Sequence, residues 1–152
     1  MANDDIAREI LDAGSYVVLA TADAGGAPWA SPVWFAHEGY RELYWVSAPG
    51  ARHSRNIAER PRIAMVVFDS TVAPGSGQAV YMSATAEQAG DAGAIEHGMA
   101  VYSRGSVRAG LGEWGTERVT GEARLRLYRA TVTEHSILDP DADTDVRVDV
   151  SP

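Results

Sequence analysis

Between Tyr16 and Phe35 the sequence spells out a β-hairpin, and a hairpin alone is marginal in water, so the rest of the chain must supply strands to cover it. Tyr16-Val17-Val18-Leu19-Ala20-Thr21 is an apolar run of strand length. Asp23-Ala24-Gly25-Gly26 holds the residues that tight turns require, and Trp29 to Phe35 reads as the returning strand. Glu38-Gly39-Tyr40-Arg41 marks a second turn. Beyond it Leu43-Tyr44-Trp45-Val46 predicts a third strand and Arg62 to Phe68 a fourth. Three meandering strands, a helix and another strand suggest a barrel.

After a loop at Val72 to Gly77, Ala79 to Ala86 alternates like a strand with one polar face, and Leu125 to Val132 does so again. Asp139-Pro140-Asp141 is a turn, and Val146 to Val150 is compatible with a terminal strand. Three helices are expected. The first spans 4–13, with Ile6, Ile10 and Leu11 on one face and Gly14 at its end; the second is basic and runs from about Ala51 to Glu59; the third runs from Asp91 to Tyr102. Ser103 to Thr120 is rich in Gly and Arg and contains Trp114. It reads either as a mobile loop or as a segment ordered by a partner. The pattern predicts a mainly β (α+β) chain forming one domain over 1–152, with a barrel at about 15–135 and a tail at 136–152.

The net charge of −8 disfavours nucleic acid and anionic lipid as partners, because a phosphate-rich surface would be repelled over most of the protein. The absence of cysteine excludes disulfides, thiolate metal sites and cysteine nucleophiles. The start is acidic where a secretory signal needs a basic segment and an apolar run, and no stretch has the length to span a membrane. A cytoplasmic protein with a small-molecule substrate is expected.

Against that acidic background, Ser47-Ala48-Pro49-Gly50-Ala51-Arg52-His53-Ser54-Arg55-Asn56 stands out: a small-residue turn leads from a strand into a basic helix that Pro61 soon closes. The free N–H groups of a helix start attract anions, and clustered arginines complete a phosphate cradle. The plainer reading of Arg52, His53 and Arg55 is a solvated basic face, and of Asn56 a bond to a nearby loop. Trp34 and Trp45 read as fillers of a barrel or an interface, Trp114 as either a lid or a packing anchor. His37, His97 and His135 lack metal-ligand spacing, so no metal site is expected, and Ser54 lacks a Gly-x-Ser-x-Gly setting.

Taken in order, Thr21-x-Asp23 to Gly26-x-Pro28, Pro32-Val33-Trp34-Phe35, Arg52-His53-Ser54-Arg55-Asn56-Ile57 and Arg60-Pro61-Arg62 resemble the pyridoxamine 5'-phosphate oxidase-like split barrels that bind FMN. Arg126-Leu127-Tyr128-Arg129-Ala130-Thr131, followed by Leu138-Asp139-Pro140, is similar to the C-terminal half of bacterial members. The resemblance implies a six-stranded antiparallel Greek-key split barrel with a few short helices, paired into a homodimer with FMN in a cleft between subunits. It implies that Ser47, Arg52, His53 and Asn56 hold the flavin phosphate, with Arg55 a further candidate. Ser31, Val33 and Trp34 would meet the isoalloxazine ring, largely through backbone groups. No catalytic side chain is assigned.

Three departures bear on activity. The family's true oxidases of pyridoxamine phosphate carry basic residues at the positions of Ser31 and Ala36, and an Arg-x-His element that nothing after Arg124 matches. At His53 flavin and deazaflavin binders often place a lysine, whereas neutral imidazole offers a hydrogen bond without full charge. The leading expectation is an FMN-dependent oxidoreductase. The alternatives are a deazaflavin-dependent reductase, with Arg104 and Arg108 along the acidic tail of that coenzyme, and a non-catalytic flavin or haem carrier.

Overall fold

The hairpin forms as β1 (Tyr16–Ala22) and β2 (Pro28–Trp34) in the computed structural model, which describes residues 1–152. Its turn is held by the Asp23 carboxylate, which accepts from the N–H groups of Gly25 and Ala27, each at 2.9 Å, while Gly26 takes a positive φ of 88°. The remaining strands are β3 (Ala36–Glu38), β4 (Glu42–Ser47), β5 (Arg62–Phe68), β6 (Ala79–Gln88), β7 (Arg126–Leu138) and β8 (Arg147–Val150). They form one antiparallel sheet in the order β2-β1-β5-β6-β7-β4-β3, with β8 beside β7.

The strand count is therefore eight rather than six, for two physical reasons. First, the chain breaks at Phe35, whose N–H donates to the Ser15 carbonyl at 3.2 Å, so the returning strand divides into β2, paired with β1, and β3, paired with β4. The meander expected from the sequence thus ends at β2, and β2 and β3 lie at opposite ends of the strand order although one residue joins them. This is the split of the barrel. Second, residues 136–152 do not form a separate tail: β7 continues to Leu138 and β8 folds back on it, with Val148 opposite Ile137.

Alternation decides which side chains enter the barrel. Val17, Leu19, Val33, Leu43, Trp45, Met65, Val67 and Val80 are buried on its inner face, and α1 (Asn3–Ala13) adds Ala7 and Leu11 to the same cluster. A second cluster lies on the outside, where α3 (Ala92–Arg108) covers Ala36, Tyr44 and Leu127 with Met99, Val101 and Tyr102. Two glycines allow α3 to lie this close: a Cβ at Gly98 would stand 2.6 Å from Leu127 Cδ2, and one at Gly105 would stand 2.9 Å from Ala36 Cβ. α3 runs through to Arg108 instead of stopping at Tyr102, and the missing Cβ of Gly105 lets its last turns lie against Ala36.

The Ser103–Thr120 segment is accordingly ordered by its own chain. Trp114 is half-buried, edge-on to Tyr102 at 5.2 Å between ring centroids, with the Arg118 guanidinium 3.2 Å above its own ring; it is a packing anchor. No helix is long and apolar enough to cross a membrane.

Candidate cofactor site

The basic helix forms as α2 (Arg52–Glu59), entered from the end of β4 through a turn in which the Ala51 N–H donates to the Ala48 carbonyl at 3.0 Å. Ala51 at the N-cap has no oxygen to offer, no acidic residue lies in the first turn, and the helix start therefore keeps N–H donors without a side-chain acceptor. Ser54 adds a buried hydroxyl with no hydrogen-bond partner in the same turn. Donors left unmet beside a buried hydroxyl are what an anion satisfies.

Around that helix start the structure brings together Ser47, Arg52 and His53. His53 Nε2 lies 2.9 Å from Ser47 Oγ across the turn, which fixes the ring. Arg52 pairs with no carboxylate; its guanidinium lies over the ring of Trp29, 4.2 Å from the centroid. Trp29 joins the candidate site through this contact; the sequence reading missed it, although it stands two positions before Ser31 and so shares its face of β2.

The other candidates make contacts within the chain. Asn56 is buried, and its Nδ2 donates to Thr21 Oγ1 at 3.0 Å, clipping α2 to the hairpin. Arg55 is exposed and donates to the Gly50 carbonyl at 2.6 Å, bracing the turn. The Val33 side chain is in the inner core opposite Val17, and Ser31 is half-buried opposite Leu19 on the same face. Trp34 turns to the other face and meets Tyr102 edge-on at 5.0 Å, leaving only its backbone on the strand edge. Trp45 is fully buried in the barrel core, as its pattern indicated.

β2 pairs on one side only, so its other edge carries unpaired backbone groups, and Pro28 and Pro32 sit where that edge needs fewer donors. An open strand edge beside a cationic helix start is a setting for a planar ligand with a phosphate at one end.

Burial lowers the His53 pKa below its ordinary value near 6.5, and burial likewise lowers that of His135, which lies against the Tyr40 carbonyl at 2.8 Å and near Arg41. A depressed imidazole contributes stability that is complete above the unfolded value and lost as pH falls through the folded one. The denaturant midpoint is expected to hold from pH 8 to about 7 and to fall between about 6.5 and 5. His53→Gln and His135→Gln should each flatten that fall; an unchanged pH profile in both would refute the assignment.

Residues 4–136 match the family model for pyridoxamine 5'-phosphate oxidase. No curated protein matches the sequence. Among solved structures, the heme binding protein from Mycobacterium smegmatis aligns with 98% of this chain at 18% identity and a TM-score of 0.74, and the chain spans 58% of that protein's length. HutZ, the heme storage protein from Vibrio cholerae, aligns with 87% of this chain and 91% of its own at 20% identity and a TM-score of 0.68. ChuZ from Campylobacter jejuni aligns with 89% of this chain and 55% of its own, at 17% identity and a TM-score of 0.70. At these identities the likeness concerns the fold.

Proposed function

The chain belongs to the pyridoxamine 5'-phosphate oxidase family, and from that premise we propose that it is an FMN-binding oxidoreductase acting on a small molecule. The observation that carries the reading is the uncapped start of α2 with Arg52, unpaired and held over Trp29, beside the Ser47–His53 pair. These residues fit a phosphate: donors converge, and no acid competes. In the bound state the flavin supplies the hydride chemistry. The chain's own part is to bind the phosphate through Arg52, His53 and Ser47 and to orient the ring along the free edge of β2, whose N–H groups favour negative charge.

Pyridoxamine phosphate is not the proposed substrate. Ser31 is not basic, and Ala36 is buried under α3 at Gly105, where a long cationic side chain has no room. The alternative is a haem-binding protein, a reading supported by the fold shared with haem-binding proteins; it requires an axial ligand, and the four histidines, which engage Nε2 with Asp12, Ser47, Glu38 and the Tyr40 carbonyl at 2.6–2.9 Å, would have to offer Nδ1 or release that bond. The visible spectrum of the purified protein with added FMN tests the proposal. Flavin bands that sharpen and shift on binding support it; no response to FMN, alongside deazaflavin or haem absorption, overturns it.

The same reading makes the protein a homodimer, and one face suits that role. The outward residues of β1, β5 and β6 include Val18, Ala20, Ala64, Val66 and Tyr81, with Ala20 opposite Ala64 and Val66 opposite Tyr81, in place of the polar residues that water would favour. Tyr16 and Phe68, 61% and 51% exposed, extend it. Ala64→Glu is expected to halve the mass measured by light scattering while leaving the far-UV spectrum unchanged. A wild-type monomer, or a variant that stays dimeric, would count against this face.

A further inference from the structure

At the split of the barrel, a cleft of about 650 Å³ lies between the C-terminal ends of α1 and α3, floored by Trp34 to Glu38. Its charged lining holds two acids, Asp12 and Glu38, and two cations, Arg104 and Arg108. The two acids are already engaged: Asp12 takes His37 Nε2 at 2.9 Å and the Tyr40 hydroxyl at 3.0 Å, and Glu38 takes His97 at 2.6 Å. The two cations are not engaged. Arg104 and Arg108, one helical turn apart on α3, line the cleft without an ion pair to any carboxylate. At the end of α3 the carbonyls of Gly105, Ser106 and Val107 accept from the N–H groups of Ala109, Leu111 and Gly110 at 2.9–3.0 Å. His37, also in the lining, retains a buried Nδ1 with no partner.

We infer that this cleft binds a small organic anion, a carboxylate or a phosphate ester, through the paired guanidinium groups of Arg104 and Arg108. Two planar forks one turn apart suit the several oxygens of such a group. His37 donates through Nε2 to the Asp12 carboxylate, so its unmet Nδ1 adds one acceptor, suited to a ligand hydroxyl. The site is distinct from the helix start of α2: Trp34 lies five residues along β2 from Trp29, roughly 17 Å. The inference does not rest on FMN.

The test is calorimetric titration of the full-length protein with malonate and, separately, with inorganic phosphate. Both titrations are repeated on R104A/R108A and on R52A. Because both arginines are exposed and unpaired, the double variant should melt as the wild type does. The expected result is wild-type binding that weakens at least tenfold in R104A/R108A and is unchanged in R52A. Response to malonate alone assigns a carboxylate ligand, and response to phosphate alone a phosphate ester. Equal binding by R104A/R108A, no binding of either anion by the wild type, or loss only in R52A overturns the inference; the last would send the anion to α2.

Discussion

Replacing Trp45 with alanine will lower the unfolding free energy by about 3–5 kcal/mol, seen as a fall in denaturant midpoint at unchanged slope. Trp45 is fully buried, sits opposite Tyr128 in the β4–β7 register and stacks on its ring at 5.9 Å between centroids. Alanine leaves a cavity against Tyr128 in the packed core, and strands hydrogen-bonded in register have little means of collapsing into it. Trp45→Phe should cost only about 1 kcal/mol, because the lost volume is offset by removing an indole N–H that is buried without a partner. Equal midpoints for the two variants would show that the ring's volume is not what the core needs.

Arg52→Ala is expected to raise the dissociation constant for FMN about ten- to hundredfold, the loss of one charge-assisted contact. Quenching of flavin fluorescence on titration measures it directly. Trp29→Ala should weaken binding only about two- to fivefold, since the ring holds the guanidinium in place without touching the phosphate. His53→Lys should act in the opposite direction, supplying the charge that burial withholds from the imidazole. An Arg52→Ala variant that binds FMN as the wild type does would place the phosphate away from α2.

Local periodicity made most of the sheet legible. β1, β4 and β5 declare themselves as apolar runs of strand length, and the β1–β2 and β3–β4 turns through Asp23-Ala24-Gly25-Gly26 and Gly39-Tyr40. Gly39 and Tyr40 both take positive φ, at 57° and 59°, in the tight turn joining β3 to β4, and Tyr40 is held there by its stack on His37 and its bond to Asp12. The division of β2 from β3 was hidden because it depends on the Phe35–Ser15 contact, which no sequence window reveals. The second half of α3 was hidden by Gly105, a residue that ends helices unless a neighbour such as Ala36 needs the room.

The candidate site divides along the same line. Ser47, Arg52 and His53 are neighbours across a turn, so their spacing points to their grouping. Asn56 shares their helix, but its partner Thr21 lies 35 residues away, and that distant bond, which ties α2 to the hairpin, is one no sequence window reveals. The contact between Arg52 and Trp29 likewise joins two segments that only the fold brings together.

The pairing of β4 with β7 also sets a timetable for synthesis. Ser47 must wait for Arg126, about 80 residues later, and a ribosome adding roughly 5–20 residues each second takes about 4–16 s to deliver it. During that interval Leu43 and Trp45 have an edge with no strand beside it, and the nascent chain carries an adhesive surface that the finished protein buries completely. Yield in a slowly translating host should therefore depend on holdase chaperones more than the stability of the folded barrel would suggest.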